Sequence, residues 1–87
     1  MELRGLPNTA GAIECVFAES ATAALRVIRD GKAASMAGDR GSMNLWRDDN
    51  NQLRGDRCFY MRQMELRTFR NASDAAKWYR RTLKKVL

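Results

Sequence analysis

Between residues 12 and 18 the chain reads AIECVFA. In an extended segment Ile13, Cys15 and Phe17 fall on one side and Glu14 on the other, which predicts a strand. The next stretch, ATAALRVIRD, changes period. Ala21, Ala24, Leu25 and Ile28 share one helical stripe, Ser20 stands where an N-cap stands, and Gly31 is placed to stop the helix. A single long helix starting after Pro7 and Thr9 also fits, because Ala10, Ile13, Phe17, Ala21, Ala24 and Ile28 recur at helical spacing. The fresh cap at Ser20 and the β-favouring Cys15, Val16 and Phe17 favour strand then helix. Spacing alone leaves both open.

Residues 31–42, GKAASMAGDRGS, are small and weakly patterned and read as a loop. SMNLWRDD then reads as a strand, and DDNNQ (48–52) as the turn of a hairpin. RCFYMRQMEL (57–66) returns as a second strand, with a change of phase around Arg62 and Gln63 that predicts a bulge or kink. The chain closes on NASDAAKWYRRTLKKVL (71–87), a helix with Asn71 as N-cap and Asp74 at the acidic capping position. Ala72, Ala75, Ala76, Tyr79, Leu83, Val86 and Leu87 gather on one arc of it. Lys77, Arg80, Arg81, Lys84 and Lys85 gather on the opposite arc, with Trp78 at the seam beside Lys85.

These elements predict an α+β fold of order β-α-β-β-α, a small antiparallel sheet with both helices on one face. Arg47, Arg57, Arg67 and Arg62 are then expected to project from the sheet's other face. Eighty-seven residues, 45% hydrophobic and 30% charged, make a single globular domain, residues 1–87. The opening MELRGLPNTAGAIECVF has no sustained apolar run, so a cytoplasmic location is the expectation.

The net charge of +6 is unevenly spread. Residues 1–53 hold six cations against seven acids, whereas residues 54–87 hold ten against Asp56, Glu65 and Asp74. The whole excess lies in the last part of the chain. Such a bias suits a phosphate backbone, an acidic protein surface or an anionic membrane. A solvated helix face usually mixes Glu with Lys at i,i+4 spacing. Here Asp74 alone represents the acids, in the first turn.

Enzymatic chemistry finds little support. Histidine is absent, so the usual activation of a Ser or Cys nucleophile is missing, and a zinc site has too few ligands. Cys15 and Cys58 are expected as unpaired, small, buried hydrophobes. Asp48 and Asp49 are adjacent carboxylates in a turn, where they cap backbone amides. MAGDRGS lacks the Lys-Ser/Thr ending of a phosphate loop, and RGD (54–56), without secretion features, is expected to be a turn tripeptide. No cofactor and no metal are implied.

VFAESATAALRVIRDGK resembles the strand, Ser cap and Ala-rich helix that open several small phage-encoded proteins. LRTFRNASDAAKWYRRTL is similar to the sheet-then-helix ending of two groups. One is the arm-site DNA-binding domain of phage-type integrases, and the other is the small anti-CRISPR proteins that bind a host surveillance complex. The two pieces cover about half the chain, and the resemblance implies a mobile-element origin without assigning any residue a role.

Two function classes compete. In one, the chain binds DNA, RNA or a nucleoprotein complex, with Lys77, Arg80, Arg81, Lys84 and Lys85 on phosphates, Trp78 at their edge and Arg57 and Arg67 adding charge. In the other, it is an anti-CRISPR-type inhibitor whose cationic arc meets an acidic protein patch, with Trp78 or Tyr60 as anchor. Against these, Trp78 also reads as the cover on the rim of a small core. A membrane-surface helix is disfavoured because its apolar arc is Ala-rich and needed for the core.

Overall fold

The computed structural model describes residues 13–87. Seven elements follow one another: β1 (Cys15–Phe17), α1 (Ala21–Arg29), β2 (Ala33–Gly38), β3 (Gly41–Arg47), β4 (Leu53–Phe59), β5 (Arg62–Phe69) and α2 (Ala72–Val86). The strands form one five-stranded sheet in sequence order. β1 pairs parallel with β2 across the α1 connection, and the rest is an antiparallel meander. The α+β class stands, and the order is β-α-β-β-β-β-α, two strands longer than the sequence pattern predicts.

Strand and helix in the first segment are separate, not one long helix. The Ser20 side chain accepts the Ala23 N–H at 3.1 Å, which is the capping bond that starts α1. Gly31, at φ 79°, ends it and donates to the Ile28 carbonyl.

The first added strand is β2, from the segment read as a loop. Its pattern is weak because both faces are covered. Ala34 packs under the helices and Ala33 packs against Trp46 on the other face, each fully buried. A strand buried on two sides needs small residues rather than alternation.

The second comes from a hairpin inside the segment read as one strand. Tyr60 and Met61 turn the chain between Phe59 and Arg62, which are paired. Both sit at positive φ, 49° and 68°, as a two-residue type I′ turn requires. Neither is glycine or asparagine, so the turn costs roughly 1–2 kcal/mol per residue. The bulge expected near Arg62 and Gln63 lies close by. β5 carries one extra residue, Met64, opposite the Arg57–Cys58 step of β4.

Both helices lie on one face of the sheet. Their core contains Ala24, Ile28, Met43, Leu45, Leu53, Phe69, Trp78, Tyr79 and Val86. Tyr79 ties it together over 61 residues by donating its hydroxyl to the Ala18 carbonyl at 2.7 Å. Burial raises the pKa of that phenol, keeping it a donor.

On the opposite face Trp46 is buried with Ala33, beside Ile13. Next to it the fully buried Asp56 carboxylate accepts from the Asn44 amide at 2.9 Å and the Gln63 amide at 3.0 Å. Burial raises the Asp56 pKa, and the two amides offset part of that. Cys58 is half-buried and free of any disulfide, and Cys15 is exposed rather than buried, at the short outer strand. Among the described residues no helix is long and apolar enough to cross a membrane.

Candidate nucleic-acid interface

α2 carries the feature that the charge distribution singles out. The Asn71 side chain accepts the Asp74 N–H at 2.9 Å, so the helix starts where its capping residue predicts. Ala75, Trp78, Tyr79, Thr82 and Val86 are buried, a 3–4 spacing that fixes the rotation of the helix on the sheet. Lys77, Arg80, Arg81, Lys84 and Lys85 are consequently all exposed. They form three rungs, one per turn of about 5.4 Å.

These five cations have no carboxylate of the described residues within salt-bridge distance. The charge of Lys77, Arg80, Arg81 and Lys84 is therefore available to an outside partner, and that of Lys85 is partly felt by Glu65. Asp74 pairs with Arg70 at 4.0 Å, not with the arc.

The sheet arginines are placed differently from the expectation. Register puts Arg47 on the side of Met43 and Leu45, and Arg57 and Arg67 on the side of Gly55, which lies under Trp78. They belong to the helix-bearing face rather than the open one. The reason is the register, in which Arg47 alternates with the core residues Met43 and Leu45, Arg57 with Leu53 and Gly55, and Arg67 pairs with Gly55.

Arg57 and Arg67 are moreover engaged. Glu65 takes a hydrogen bond from Arg67 at 3.0 Å and lies 3.7 Å from Arg57. Burial pushes the Glu65 carboxyl up. The Trp78 indole N–H, the Arg67 bond and the charge of Lys85 outweigh it and hold the group below its usual range. The indole N–H faces Glu65 without closing a hydrogen bond of good geometry. Arg62 is exposed beside the Tyr60–Met61 turn.

Trp78 is at the seam in angle but only 2% exposed, packed on Phe69 and Tyr79 and over Gly55. Its ring belongs to the core and is not presented to a partner. The other surface aromatic raised by the sequence, Tyr60, is 86% exposed.

One contributor escaped the sequence reading. Arg40, in the β2–β3 turn, donates its backbone N–H to the Val86 carbonyl at 3.0 Å and its guanidinium to the Lys84 carbonyl at 2.9 Å. It caps the free C-terminal carbonyls of α2 and adds a cation to the negative end of the helix dipole. The turn approaches so closely that a Cβ at Gly38 would strike the Val86 carbonyl. The paired glycines of GDRG were the available signal for a tight hairpin there.

A separate cleft of about 320 Å³ lies at the other end of the molecule, lined by Arg47, Asn51, Thr68, Arg70 and Asn71 among others. It gathers no acid and base pair. Among the described residues no three His, Cys, Asp or Glu side chains cluster as metal ligands. Comparison of the chain with family models, with curated proteins and with solved structures gives no match. The functional reading therefore rests on the geometry of α2.

Proposed function

We propose that this protein is a non-catalytic binding module, of the kind mobile elements encode, that holds the phosphate backbone of nucleic acid or of a nucleic-acid-bound host complex. Lys77, Arg80, Arg81, Lys84 and Lys85 make the contacts. The observation that carries the reading is the contrast in pairing. The sheet arginines Arg57 and Arg67 are paired with Glu65, whereas the five helix cations are exposed and in no ion pair with a described carboxylate, Lys85 alone acting on Glu65 from farther off.

The arc spans about 12 Å along the helix, at 1.5 Å per residue. Duplex DNA offers one charge per about 3.4 Å of axis on each strand, so such an arc faces about four phosphates. With Trp78 buried, the arc presents no aromatic ring for base stacking. Backbone contacts of this type position a protein without reading bases. The module is therefore a sequence-tolerant duplex binder.

Fluorescence anisotropy with an arbitrary-sequence duplex tests this. Binding at low salt should weaken with a log-log slope on the order of −4 to −5 if all five cations reach phosphates. Arg81→Glu with Lys84→Glu should leave the melting curve unchanged and flatten the slope by about two. A variant that folds normally and binds the duplex as tightly as the parent overturns the proposal.

A further inference from the structure

The distribution of charge along the chain hides a second set of cations. Residues 1–53 balance six cations with seven acids, so α1 adds nothing to the excess. A balance along the chain is not a balance in space. α1 buries Ala21, Ala24 and Ile28. At about 100° per residue, Arg26 then stands opposite that stripe, with Arg29 about 60° from it. Both are exposed, and neither has a carboxylate of the described residues within salt-bridge distance.

The two helices are neighbours on the same face of the sheet. Ala23 and Val27 of α1, and Ala76 and Leu83 of α2, are half-buried against one shared core. The direction away from the sheet is therefore common to both helices. Arg26 points along it from α1, and Lys77, Arg80 and Lys84 do so most directly from α2. Helices packed side by side lie about 8–10 Å apart, so the outer surface bears two rows of cations. Asp30, the C-cap of α1, is the exposed acid at the end of the shorter row. Cations in a last helical turn also complement the dipole, a role that acts on stability and not on binding.

We propose that Arg26 and Arg29 hold a second row of phosphates, so that the two-helix layer grips both strands of a DNA duplex across a groove. This rests on the reading of α2 given above and extends it from one backbone to two. The α2 arc faces about four phosphates of one strand. A row about 8–10 Å to the side falls off that strand. In a duplex it meets the opposite backbone across a groove, about 6 Å wide on the minor side and about 12 Å on the major side. A single strand offers one row only. Arginine suits the shorter row, because its guanidinium presents a fork of donors that matches a phosphate.

The test compares Arg26→Gln with Arg29→Gln against the parent by fluorescence anisotropy over a range of salt. One oligonucleotide sequence is used, as duplex and as single strand. On the duplex the log-log slope should flatten by about two, and affinity at low salt should fall by about tenfold or more. On the single strand the same pair should leave affinity within about twofold of the parent. Arg26→Lys with Arg29→Lys keeps the charge and should restore the slope. Asp30→Asn removes the acid from the row and should tighten duplex binding. Thermal melts of all these variants should match the parent, which separates phosphate contact from support of the helix dipole. If the parent binds duplex through α2 and the Gln pair equals it in slope and affinity, this inference is overturned and the reading of α2 stands. Equal losses on duplex and single strand also overturn it, since they put both rows on one backbone. A parent that binds no duplex overturns both.

Discussion

Gly55→Ala puts a single methyl group where the structure leaves no room. Gly55 sits in β4 beneath Trp78, and a Cβ there would lie 2.7 Å from Cζ3 and 2.9 Å from Cη2 of the indole, with Phe69 Cε2 at 3.0 Å. Carbon atoms pack at about 3.5–4.0 Å, so the ring has to retreat by nearly 1 Å. It cannot do so freely, because it is 2% exposed and braced by Phe69 and Tyr79. Overpacking of this kind costs about 1–3 kcal/mol. Removing a glycine from a strand returns roughly 0.5–1 kcal/mol. The expected net loss is about 1–2 kcal/mol, or a fall of roughly 5–15 °C in melting temperature for a chain of this size. Thermal melts followed by circular dichroism measure it, with Trp78→Phe as the second corner of a double-mutant cycle. The smaller ring leaves space for the methyl, so the double variant should be more stable than the sum of the single losses by at least about 0.5 kcal/mol. A neutral Gly55→Ala, or two losses that simply add, would refute the claim that the helix is seated on the sheet through this ring.

Asn71→Ala removes the acceptor for the Asp74 N–H and should cost about 1 kcal/mol in urea denaturation. Ser20→Ala should do the same for α1. The Glu65 carboxyl is held below its unfolded value of 4.5, so its contribution is complete above that pH and is lost as pH falls through the lowered folded value. Parent protein should therefore exceed Glu65→Gln in stability near about pH 7 and lose that lead at about pH 3, measured as urea midpoints. Equal midpoints at both would show that Arg57, Arg67 and Lys85 exert no net hold on it.

Helix boundaries and the wet side of α2 were legible because capping and periodicity are local, but the buried face is turned toward Trp78 and Thr82, and Ala72 and Leu87 of the expected apolar arc are exposed. Asn71 and Ser20 mark their own helices, and the spacing of Ala75, Tyr79 and Val86 fixes which side of α2 is wet. The strands were less so. β2 escaped because Ala33 and Ala34 are buried on opposite faces and leave no alternation. The Tyr60–Met61 turn escaped because it violates the residue preferences by which such turns are recognised. That omission hid the pairing of Arg57 and Arg67 with Glu65, because a single strand brings none of these residues across from another. Trp78 was placed at the correct angle, but its depth depends on the absence of a side chain at Gly55, 23 positions away in sequence. The cations of α2 were legible throughout. Their lack of ion pairs with the described carboxylates is a property of the assembled fold.

The bulge at Met64 also bears on how this chain behaves in company. β5 is an outer strand of the sheet, and an outer strand of eight residues is a template on which another chain can lay its own backbone. The extra residue breaks the regular spacing of amides along it, and Arg62 and Arg67 place charge on the approach. At the other edge β1 offers three residues, too few to seed a ladder. Among the described residues both outer strands are therefore poor templates, without the sheet being closed into a barrel. Association through side chains, where a partner can be chosen, is favoured over association through the main chain, where every partner looks alike.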